Sequence, residues 1–187
     1  MEKRSFSINS SLPEINKVND DFDALLSEHL SGKLNFESVK KFIEEFKVIS
    51  YELFSNCIIH NDSPSLCFEL VLDNNVVELT LFSKGNGFAL KPLYNNESSQ
   101  IYTAPFPKHI HNKVITVYQG IESTVDCKIL NHNTLLFQLT KLKKGSLKTH
   151  SLPEHFGLYL ITSLTNKFEY SRSEVGVDVY KISKLIK

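Results

Sequence analysis

A chain of 187 residues, 41% hydrophobic and 22% charged, can bury a core of its own, so global disorder is excluded and one domain over 1–187 is expected. Lys plus Arg (21) equals Asp plus Glu (21), which leaves no overall basic field to gather nucleic acid or an anionic membrane; neither is expected as a partner. The start MEKRSFSINSS has no apolar run behind its basic residues, no stretch nears the roughly 20 apolar residues of a bilayer span, and Cys57, Cys67 and Cys127 lack CxxC spacing, so a reducing cytoplasm is the expected location.

In chain order, residues 4–9 read as a short strand. Residues 13–31 read as a helix, with Pro13 in its first turn, Val18, Phe22, Leu25, Leu26 and Leu30 at helical spacing, and Gly32 as its stop. A longer helix is predicted over 35–60, where Phe36, Val39, Phe42, Ile43, Phe46, Ile49, Leu53, Phe54, Cys57 and Ile58 mark a broad apolar face; Pro64 closes the region. The period then changes from helical to alternating: LCFELVL, a DNN turn and VVELTLF predict a hairpin over 66–82. The glycine-bearing loop SKGNGF follows, then an irregular stretch, 91–112, read as a long surface loop carrying Pro92, Pro105 and Pro107. Strands are expected at 113–118, 124–130 and 134–142, a helix at 156–166, and two closing strands at 167–172 and 176–183. This order predicts an α+β two-layer sandwich, a mostly antiparallel sheet of five or more strands with three helices on one face.

The chemistry concentrates on the second helix. Glu52, Asn56 and His60 recur every four residues, so they share one side of it amid Leu53, Phe54, Cys57, Ile58 and Ile59. A polar stripe on so apolar a helix end calls for partners, because unpaired buried polar groups cost free energy. A carboxylate and an amide one turn apart can hold a hydrated magnesium ion and orient a nucleophile toward a phosphoryl group. The same pattern also arises when a solvated Glu52 precedes Asn56 and His60 at a helix end, and the three residues alone do not separate these readings.

The run YELFSNCIIHN resembles the ExxxNxxxH asparagine box of the GHKL family of ATP-binding proteins, and the chain looks closest to the small anti-sigma-factor serine kinases. Three further elements follow in family order over about 12–184. Ser83-Lys84-Gly85-Asn86-Gly87 stands where the family has DxGxG; His155-Phe156-Gly157-Leu158 stands at GxGL; Gly176-Val177 stands at the GT step of the last hairpin. The resemblance implies the ATP-binding sandwich of that family, with ATP and magnesium as ligands. It makes Asn56 the magnesium ligand and Glu52 the base or water-orienting residue. Ser83, Gly85, Gly87, Gly157, Leu158 and Val177 would border the nucleotide, with the site between the second and third helices. It further implies a protein partner, a sigma factor or antagonist-like regulator, and a homodimer.

The departures also form a pattern: Ser83 replaces the Asp that would receive an adenine amino group, Val177 replaces Thr, and His155 replaces the first Gly of the second box. The segment 89–155 between the glycine boxes is longer than a small kinase lid and is read as an enlarged lid or insertion. Two functions of different class follow: an ATP-dependent serine/threonine kinase in a partner-switching module, or a degenerate domain that sequesters a partner without ATP.

Other signals have plainer readings beside them. His109 and His111 in KHIH would point the same way on an extended segment, as a metal pair does, but no third ligand stands near. Lys141, Lys143, Lys144 and Lys148 suit either phosphate oxygens or a solvated loop. Cys57 reads as core, as do the 13 phenylalanines.

Overall fold

The computed structural model describes residues 1–60, 64–93, 101–142 and 156–187. Its elements are β1 (Glu2–Asn9), α1 (Leu12–Leu30), α2 (Phe36–His60), β2 (Ser65–Leu72), β3 (Val76–Lys84), β4 (Val114–Gln119), β5 (Ser123–Ile129), β6 (Thr134–Lys141), α3 (Phe156–Leu164), β7 (Lys167–Arg172) and β8 (Val177–Leu185). The strands form one sheet of eight in the order β1-β2-β3-β8-β7-β6-β5-β4, and every neighbouring pair is antiparallel. With three helices packed on it, this is the α+β two-layer arrangement expected from the sequence, with more strands than its minimum.

Alternation decides which face of each strand is covered. In β2, Leu66, Phe68, Leu70 and Leu72 are buried; in β3, Val77, Leu79, Leu81 and Ser83 are. The helices close on this face through aromatic contacts. Phe68 stacks on Phe6 and receives Phe22 and Phe54 edge-on, so β1, β2, α1 and α2 meet at one side chain. Ile15, Val18, Phe22, Leu26 and Leu30 of α1 are all buried, as the helical spacing requires. At the other end of α2, Lys184 on β8 donates to Glu45 and to the Leu164 carbonyl, tying α2 and the last turn of α3 to the sheet centre. The outer face carries charge pairs instead: Lys3 with Glu69, Lys181 with Glu78, and Lys167 with Glu169.

One expectation changes. The described residues of 91–112 are not simply a surface loop: Phe106 and Ile110 are buried and Leu90 bridges Tyr102, because apolar side chains at the sheet's far edge need cover. Residues 114–141, within the segment read as an enlarged lid or insertion, form the three expected strands and extend the sheet beyond β7 as β6, β5 and β4, beneath α3. Lys143, Lys144, Lys148 and His155 lie outside the described residues, as does the His60 side chain. Among the described residues, no helix is long and apolar enough to cross a membrane.

Candidate functional site

Glu52 and Asn56 project from the last turns of α2 toward the first turn of α3, where Gly157 meets them. A Cβ on Gly157 would sit 2.5 Å from Glu52 Oε2 and 3.3 Å from Asn56 Nδ2. A side chain there would have to push the end of Glu52 aside, so α3 approaches the acid and the amide this closely because position 157 is glycine. Both polar residues are half-buried. Burial raises the Glu52 carboxyl above the ordinary carboxylate range.

Beside this contact lies a cavity of about 390 Å³ between the helices and the sheet. Leu53 and Asn56 line it from α2, Gly157, Leu158 and Ile161 from α3, and Phe168 and Tyr180 from the sheet. The loop after β3 closes one side through Asn86, Gly87, Phe88 and Ala89. Its lining is of two kinds: the Asn56 amide and the backbone at Gly157, at the start of α3, are polar, while Phe88, Phe168 and Tyr180 are aromatic. Its volume lies within the range of small-ligand sites, roughly 300–1,000 Å³.

The residues singled out in the sequence separate into three groups. Asn56, Gly87, Gly157 and Leu158 line one cavity, and Glu52 touches Gly157 at its rim. Gly85 stands behind the loop, where its carbonyl accepts from Arg172 Nη2 at 2.8 Å, and Ser83 is buried on the helix-facing side of β3. Val177 is not among the residues lining the cavity. It pairs with Lys84, while its successor Asp178 pairs with the buried Ser83. Strand alternation thus turns Val177 to the outer face and brings Asp178 to the helix side.

Asp178 is the residue that the sequence reading missed. It is fully buried, and its Oδ1 accepts from Tyr170 Oη at 2.7 Å and from Arg172 Nη1 at 2.6 Å. Its Oδ2 is buried with no hydrogen-bond partner among the described residues. Its acid neighbours the α2 thiol of Cys57, which is pushed up first by burial and then by the Asp178 charge. A signal existed: a lone carboxylate between two valines in VDVY, with Tyr170 and Arg172 two apart on the preceding strand.

No family model and no curated protein matches the sequence. The site is therefore read from its own geometry.

The remaining candidates do not join this cleft. Lys108–Ile110 forms a single 3₁₀ turn, so His109 and His111 are not on an extended segment, and His111 Nε2 bonds the Phe106 carbonyl. Among the described residues, no three His, Cys, Asp or Glu side chains gather as a metal group. Lys141 ends β6, far along the sheet from β3.

Proposed function

We propose that this chain is a nucleotide-binding protein of the GHKL type, with the ATP-binding sandwich of that family, and that it takes ATP with magnesium in the cleft between α2, α3 and the loop after β3. One observation carries the reading: Gly157 lies directly on Glu52 and Asn56, in a cavity shared with Gly87. These residues, more than 100 positions apart in sequence, stand in for the asparagine box and the second glycine box, which the reading requires to meet.

The residues present fit the ligand. The hollow that a Cβ at 157 would fill adjoins an amide and a carboxylate, hard oxygen donors suited to magnesium. Asn56 would hold the metal, which when bound supplies neutralisation of phosphate charge. The first turn of α3 offers its N–H groups to the phosphates. The flat apolar walls at Phe88, Phe168 and Tyr180 suit a base. Glu52, its pKa raised by burial, is placed to take a proton from an attacking hydroxyl. The reading carries with it, from the resemblance to the anti-sigma-factor kinases, phosphoryl transfer to a serine or threonine of a regulatory protein partner in a cytoplasmic partner-switching module.

The second reading is a nucleotide-free module that sequesters its partner. It is favoured by Asp178, whose charge is already taken by Arg172 while Ser83 stands in the acid's expected place. Titration calorimetry with Mg-ATP separates the two. Saturable heat that disappears without magnesium supports the nucleotide reading, and absence of heat at millimolar ATP overturns it.

A further inference from the structure

The glycine loop forms one wall of the cleft, and two side-chain hydrogen bonds fasten its backbone to the sheet. Arg172 Nη2 donates to the Gly85 carbonyl at 2.8 Å, and the Phe88 N–H donates to Tyr170 Oη at 3.0 Å. Both side chains then converge on Asp178 Oδ1. Gly87, between them, has φ +86°, and a Cβ there would stand 2.9 Å from Arg172 Nη1, so the loop rests on the guanidinium. The Phe88 ring also packs 5.5 Å from Tyr170.

We propose that Tyr170, Arg172 and Asp178 form a positioning unit that holds the Gly85–Phe88 loop at the aromatic side of the cleft and so sets affinity for the base of a bound nucleotide. The proposal rests on the nucleotide reading above. The fold itself does not require this unit, since a buried ion pair generally gives a domain no more stability than apolar side chains of similar size. Among the described residues, its two side-chain hydrogen bonds outside the triad end on the backbone of the loop that walls the cavity. None of the three residues lines the cavity, so their influence on a ligand runs through Gly87 and Phe88.

Tyr170→Phe and Arg172→Lys test it, each titrated with Mg-ATP and with magnesium tripolyphosphate, with melting curves recorded alongside. Tyr170→Phe removes the acceptor of the Phe88 N–H. Lysine keeps a charge for Asp178 but lacks the fork that reaches Gly85 as well. Each variant is expected to weaken Mg-ATP about tenfold, the worth of one lost hydrogen bond. Tripolyphosphate, which needs only the Asn56 side, should bind within about twofold of the parent value on the same reasoning. Unchanged Mg-ATP affinity in both variants overturns the proposal, as does an equal loss of both probes. A parent chain that binds neither probe removes the nucleotide reading with it, whereas a binding parent with indifferent variants removes this inference alone. Should Arg172→Lys fail to fold, Tyr170→Phe, a change of one oxygen, carries the test.

Discussion

Gly157→Ala is the most informative single change, because its effects on folding and on ligand binding are expected to part company. The new methyl would meet Glu52 Oε2 at 2.5 Å, so the carboxylate must retreat by about 0.9 Å to reach ordinary contact at 3.4 Å. Glu52 is the flexible end of a half-buried side chain, and a turn of about 30° off its rotamer costs about 0.5–1.5 kcal/mol. Replacing glycine returns about 0.4–1 kcal/mol through the unfolded chain. The two terms nearly cancel, so the melting temperature should move by no more than about 2–4 °C, the shift that 1 kcal/mol gives a domain of this size. Binding has no such compensation. Displacing the acid and crowding the Asn56 amide should remove one charged hydrogen bond, about 1.5–3 kcal/mol, and weaken Mg-ATP by roughly one to two decades. Paired thermal melts and calorimetric titrations measure both quantities. Adding Glu52→Ala frees the space and should restore part of the crowding loss at Asn56, a non-additivity that a double-mutant cycle detects. An alanine variant that binds Mg-ATP like the parent would refute the reasoning, since the Gly157 contact would then be packing and nothing more.

Asn56→Ala should abolish Mg-ATP heat in calorimetry while the circular dichroism spectrum and melt stay near the parent's, because the amide is half-buried at the edge of the core. Asp178→Ala should lower stability as well as loosen the loop: it strands the Arg172 guanidinium beneath the glycine loop, and breaking a buried pair costs about 3–5 kcal/mol. That is a fall near 10 °C in Tm at about 2–4 °C per kcal/mol, and replacing both partners by leucine should recover most of it. The raised carboxyl of Glu52 gives a pH signature. Between the ordinary glutamate range and its raised value the native state holds more protons than the unfolded one, so stability falls as pH rises through that window. Glu52→Gln should flatten that slope in urea unfolding followed at a series of pH values.

The sandwich was legible because its signals are periodic. Helical spacing in α1 and α2 named residues most of which are buried, Phe36 at the exposed start of α2 being an exception, and alternation in β2 and β3 marks the covered face. Glu52 and Asn56 were legible for the same reason, since four-residue spacing on one helix fixes a common side whatever the partner. Where the chain between elements was irregular, periodicity was silent. Phe106 and Ile110 sit among prolines and histidines, and only the sheet's extension beyond β7 creates the surface that buries them.

Val177 and Asp178 show why the aromatic side of the cleft was harder. A two-residue pattern at the start of a strand carries no phase of its own, and a shift by one residue exchanges the faces. The phase is set across the sheet: β3 pairs Ser83 with Asp178, and β7 pairs Arg172 with it, so three polar side chains from three strands meet under one loop. The carboxylate on the cleft side of the sheet therefore belongs to β8, not to the end of β3. Its Oδ1 is held by two donors, and its Oδ2 has none among the described residues. An acid so placed shapes the loop, and on the nucleotide reading proposed above the geometry of that loop, rather than the residue at position 83, would govern recognition of a base.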